Sequence, residues 1–188
     1  MTTLDNPSNL PDPAAVSPRP TAIRYGLIAG LVLIVLSVLY NVTGMIDYTG
    51  QNSNVIPNIL NWGTIIAALV LAIKHHRDNE LGGFISLGRC VGLGSLTSLV
   101  IGVISGIFGV LYFTVIDPGL KGEILSQLQE QFEEQGLDEN AIDMAMSWTE
   151  NMFSPLGLFL MTSLSTLLGG VILSLIIGAI MKKTPPHI

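Results

Sequence analysis

Of 188 residues, 49% are hydrophobic and only 12% are charged, about half the charged share of an ordinary soluble domain. The apolar residues are also clumped, which excludes a water-soluble globular fold for most of the chain. The formal net charge of −6 argues against nucleic acid as a partner, and a single cysteine, Cys90, excludes an internal disulfide.

Residues 1–20 hold five of the ten prolines, Pro7, Pro11, Pro13, Pro18 and Pro20, among small polar residues. Proline removes backbone donors and there is little apolar surface to bury, so this segment is predicted to be a disordered tail. Crossing the hydrocarbon core takes about 20 helical residues, and a first span is predicted over 22–41, with Tyr25 and Tyr40 as interfacial rings. Arg19 and Arg24 before an apolar core imitate a signal peptide. The core is long, however, and Ser37-Val38-Leu39-Tyr40 offers no small-x-small cleavage site, so the span is expected to stay uncleaved. After a polar loop without Lys or Arg, a second span is predicted over 55–74. It starts weakly at Pro57, Asn58 and Asn61, and the two asparagines are placed to line a shallow external cavity.

Lys74 to Arg89 is the dense mixed-charge stretch of the chain, with long apolar runs on both sides. It reads as a polar turn between two membrane helices. Gly82-Gly83 stops the helical path, and Phe84-Ile85-x-Leu87 is expected to lie along the membrane interface. Asp78 and Glu80 offer partners to Arg77 and Arg89, pinning the turn, and the long side chain of Arg89 is expected to snorkel back to water. His75, His76 and His187 fall at or beyond helix ends and read as interfacial. His76 and Glu80 are spaced to share a helix face as metal ligands, but two ligands are too few.

A third span is predicted over 90–116 and a fourth over 155–181, where Pro155 suits a first turn and Pro185-Pro186 prevents continuation beyond Lys182-Lys183. Residues 184–188 form a short tail. Between the spans, 117–152 changes character. Leu120, Ile124, Leu128 and Phe132 recur every four residues, an amphipathic helix. Gly136 breaks it, and Asp138 caps a second short helix through Ala141, Ile142, Ala145, Met146 and Trp148. Asp138-Glu139-Asn140 opens like an EF-hand loop, but Asp143 replaces the required glycine and Thr149 the bidentate acid, so that calcium motif is excluded.

Orientation follows from the cations. Arg19, Arg24, Lys74, Arg77, Arg89, Lys182 and Lys183 fall on one side of the predicted bundle and Lys121 on the other, which places both termini in the cytoplasm. The insertion then lies outside, with nine acids against one lysine over 117–150; its net −8 leaves +2 for the rest of the chain.

Helices gain little from hiding apolar surface in lipid, so close backbone approach matters more. Small residues spaced by four are therefore informative: Ser86, Cys90, Gly94, Ser98, Gly102 and Gly106 in the third span; Thr166, Gly170, Ser174 and Gly178 in the fourth. Ala22, Gly26 and Gly30 make a similar row in the first, and Thr64, Ala68 and Ala72 in the second. Such rows seat helices within one chain, or form a homo-oligomer interface or a smooth-walled pathway. The sequence has no His-Glu-x-x-His zinc motif and no phosphate-binding loop, and no ionisable residue mid-span, which disfavours proton- or cation-coupled transport. No enzyme activity and no cofactor is expected.

The run Arg77-Asp78-Asn79-Glu80-Leu81-Gly82-Gly83-Phe84-Ile85-Ser86-Leu87-Gly88, after an apolar helix, resembles the central motif of the domain of unknown function 4199 family of small bacterial membrane proteins. The resemblance spans most of residues 22–183, but not the proline-rich tail, and includes the acidic insertion before a last helix ending in lysines. Family members often have a lysine where this chain carries Arg89, one position after the glycine. The resemblance implies a four-helix bacterial inner-membrane protein without assigned activity, and supplies no catalytic, cofactor-binding or metal residues. The expected fold is an all-α integral membrane protein, a four-transmembrane-helix bundle with an extramembrane acidic helical hairpin between helices three and four. The expected role is a non-enzymatic accessory or scaffold subunit whose external hairpin meets a membrane or periplasmic protein. The alternative is a small-molecule transporter or channel formed by oligomerisation through the small-residue faces.

Overall fold

Each apolar stretch is a helix in the computed structural model, which describes residues 15–46 and 54–184. The long helices are α1 (Arg19–Thr43), α2 (Val55–His75), α3 (Leu87–Leu111) and α6 (Pro155–Met181), with the shorter α4 (Pro118–Glu134) and α5 (Glu139–Met152) between α3 and α6. Helices α2 and α3 each run on into one π-helical turn, His76–Glu80 and Tyr112–Ile116. All four long helices are apolar enough to cross a membrane. Most of the tail, residues 1–14, and His187 lie outside the described residues.

Side chains set several boundaries. The hydroxyl of Ser86 accepts from the Arg89 amide and Ser154 from that of Gly157, while Asp117 and Asp138 do the same for Leu120 and Ala141. Each satisfies an amide that the first helical turn leaves without a partner. Helix α3 therefore begins at Leu87 rather than Cys90. Helix α1 begins at Arg19, inside the segment expected to be tail, because Pro20 sits in its first turn, where a missing N–H costs no hydrogen bond.

Contacts between helices fix their directions. A Cβ on Gly26 would lie 2.7 Å from Val100, and one on Gly30 3.0 Å from Ile104, so α1 and α3 run parallel. Along α3, Cys90 faces Gly178, Gly94 faces Ser174, Ser98 faces Gly170, Gly102 faces Ser163 and Gly106 faces Phe159, so α6 runs antiparallel. Trp62 meets Gly169, and Leu69 lies beside the Gly94–Ser174 contact, which makes α2 parallel to α6. The four passes thus alternate, with α3 touching the other three. Small residues line the contacts, while Leu31, Val35, Leu168, Ile172 and Ile180 point outward. This arrangement is inverted relative to a soluble protein and suits lipid.

Within Phe84-Ile85-x-Leu87, expected to lie along the membrane interface, the backbone pairs with the chain leaving α6. Ile85 is buried and pairs as an isolated antiparallel bridge with Lys183, each amide donating to the other's carbonyl at 3.0 Å. The extended backbone after Gly83 finds its partner in the chain leaving α6, and Lys183 Nζ lies 5.5 Å from the Phe84 ring centroid. Lys183→Pro removes one of the two donors. It should cost about 1 kcal/mol and speed hydrogen exchange at Ile85; unaltered exchange there would show that the bridge does not hold the C-terminus.

Candidate functional site

The charged stretch between α2 and α3 folds inward. The π-helical turn His76–Glu80 follows α2 directly, and such turns occur often at functional sites. His76 is fully buried and its Nδ1 lies 2.5 Å from Glu80 Oε2. Arg89 Nε donates to His76 Nε2 at 3.0 Å. A guanidinium has no lone pair to offer, so Nε2 is the acceptor and Nδ1 carries the proton donated to Glu80.

The other Glu80 oxygen accepts from the Thr21 hydroxyl and lies 3.5 Å from His75 Nε2. Arg89 also donates to the Val16 carbonyl. The start of α1, the end of α2 and the start of α3 are thereby tied into one polar clamp. Arg77 adds α6: its guanidinium bridges Asp78 at 2.6 and 3.2 Å and donates to the Met181 carbonyl at 3.2 Å. Asn79 donates to His75 Nδ1 at 2.8 Å. Gly82 and Gly83 have φ of +64° and +93°, left-handed values that favour glycine, and they turn the chain so that the Gly83 amide donates to the Arg77 carbonyl.

One expectation is corrected here: Arg89 does not simply reach out to water. His76, read as lying at a helix end, faces inward. The same physical reason covers both: an inward imidazole needs a donor for Nε2, and Arg89, one residue beyond the glycine, is in place to supply it. The His76/Glu80 spacing was the available sequence signal. Nothing in the sequence announced Thr21 or Val16, because their role exists only once α1 packs against the turn. Among the described residues no three His, Cys, Asp or Glu side chains are grouped to hold a metal ion. The clamp's chemistry is that of a hydrogen-bonded fastening.

At the other end of the helices, α1, α2, α3 and α6 enclose a partly open cavity of about 270 Å³. Asn61 lines it and Asn58 is not among the lining residues. Tyr40, expected as an interfacial ring, lines it as well and is only 3% exposed.

The insertion presents a different surface. Helix α5 has no buried residue, and Met144, Trp148 and Met152, spaced by four, are 66%, 70% and 45% exposed. Ala141, Ile142, Ala145 and Met146 are half-buried, whereas Trp148 is exposed.

Compared with known proteins, residues 24–183 match a family described as a protein of unknown function, DUF4199. No curated protein and no solved structure matches the chain.

Proposed function

Because the chain belongs to the DUF4199 family of proteins of unknown function, we propose that it is a non-enzymatic accessory or scaffold subunit of the bacterial inner membrane. In this reading both termini and the polar clamp face the cytoplasm, the side that positive charge marks. The insertion projects outside and meets a basic partner protein. The observation that carries the reading is the row Met144, Trp148 and Met152, an exposed apolar stripe on a helix that also displays Glu139, Asp143 and Glu150. Exposed apolar stripes rimmed by polar residues mark interaction surfaces, and tryptophan is a frequent anchor of such contacts. The net −8 of residues 117–150 disfavours anionic lipid headgroups as the occupant and favours a cationic protein surface.

Charge reversal at Glu139, Asp143 and Glu150, or Trp148→Ala, should remove a protein that co-purifies from native membranes. Thermal unfolding of the chain should stay unchanged, since all four side chains are exposed. An identical set of co-purifying proteins would sink the proposal. The channel alternative has less support: Gly26, Gly30, Gly94, Gly102, Gly106, Gly170 and Gly178 each face a neighbouring helix of the same chain, which leaves those faces unavailable to a second copy.

A further inference from the structure

The cavity opposite the polar clamp has room for roughly nine water molecules and lies just below the range usual for drug-sized ligands. Leu33, Ile65, Phe108 and Phe113 supply much of its wall, and among the described residues no Asp, Glu, Lys, Arg or His lines it. Below it the interior is closed, with Leu69, Leu93, Thr97 and Ile101 fully buried. The cavity is therefore a dead end in this conformation and fits binding rather than passage.

Some of its polar groups are already engaged. Asn41 Nδ2 donates to the Ser37 carbonyl and the Thr166 hydroxyl to the Thr162 carbonyl, both at 2.8 Å. Tyr40 and Ser105 differ. Both line the cavity, and each hydroxyl is buried without a hydrogen-bond partner among the described residues. Buried hydroxyls left this way are uncommon in native proteins and call for an explanation.

We infer that this cavity binds a neutral, monocyclic ring carrying one or two oxygen substituents, of the phenol or quinone type. The ring lies against the aromatic wall, where Phe108 and Tyr112 are 5.9 Å apart between centroids, and its oxygens take the Tyr40 and Ser105 hydroxyls once these turn out of their buried positions. Aromatic pairs favour offset or edge-on contacts of this kind. An ionised ligand would meet no counter-charge among the described lining residues, and a sugar would leave most of its hydroxyls against Leu33, Ile65 and Phe108; both are disfavoured by desolvation.

The test uses the full chain in lipid nanodiscs, with empty nanodiscs as reference and binding followed by ligand-observed NMR. The probes are 4-propylphenol and 2-methyl-1,4-benzoquinone, with 4-hydroxybenzoate and glucose as charged and polyol controls. Saturable binding of at least one neutral ring, confined to the loaded discs, is expected. Gly109 lines the cavity and a Cβ there meets nothing within 4 Å, so a side chain starts from this position without strain, and Gly109→Leu should narrow the space and abolish binding. Tyr40→Phe should weaken it about five-fold, the effect of one hydrogen bond, while leaving the melting temperature equal or higher because an unpaired hydroxyl is gone. Equal partitioning into empty discs, full binding by Gly109→Leu, or binding of glucose in place of the rings would each overturn the inference.

Discussion

Gly94→Leu is expected to lower the unfolding midpoint in detergent, or deplete folded protein altogether. A Cβ at this position would overlap the Ser174 hydroxyl, sit 2.7 Å from Ser174 Cβ and come within 3.4 Å of Leu69. Ser174 has nowhere to swing: it is fully buried, and its hydroxyl donates to the Gly170 carbonyl at 2.5 Å. Overpacking a closed core costs about 1–3 kcal/mol and occasionally more, and leucine here would press on α2 and α6 together. Gly92→Leu provides the contrast. Gly92 is exposed and a Cβ there meets nothing within 4 Å, so its effect should stay within about 0.5 kcal/mol. A milder clash, Gly94→Ala, should be relieved by Ser174→Gly in the same chain. Equal stability of Gly94→Leu and Gly92→Leu would refute the α3–α6 contact as described.

Glu80→Ala should be the most damaging single change in the charged turn. It strips the acceptor from two buried donors, His76 Nδ1 and the Thr21 hydroxyl. A buried donor left unsatisfied costs about 1–3 kcal/mol. The expected loss falls inside that range rather than at twice it, because the Glu80 side chain is 27% exposed and water can enter the space left behind. Asp78→Ala is the comparison, since its partner Arg77 is held in a more exposed pair worth about 0–1 kcal/mol. Glu80→Gln keeps an acceptor for one donor and should fall between the two alanine variants. Unfolding in detergent ranks the three. If Asp78→Ala proved the worse, the clamp would be fastened by the outer pair and not by His76.

How far the chain could be read without its structure depended on the kind of feature. The apolar runs gave helices where they were expected, and Asp138 and Pro155 mark helix starts as their chemistry suggests. Both act locally: Asp138 accepts from the Ala141 amide, and Pro155 lacks an amide that a first turn would leave unpaired. Rows of small residues were legible too, but not their partners. Gly26 meets Val100 and Gly106 meets Phe159, so a glycine on one helix often receives a large residue from the next. Periodicity alone does not say which. Tyr40 shows the same limit: its position near a span end matched an interfacial ring, yet it turns inward to the cavity.

The sequence by itself determined that this chain has four helices able to cross a bilayer, and on which segments its cations and acids fall. Hydropathy sets how deep a residue sits, because the cost of removing charge from water depends on depth alone to first order. It leaves rotation about the helix axis open, and rotation is fixed by neighbouring helices. Only the tertiary structure therefore decided that His76 and Arg89 join inside the clamp, that the glycine faces are spent within one chain, and that two unpaired hydroxyls share a cavity at the far end.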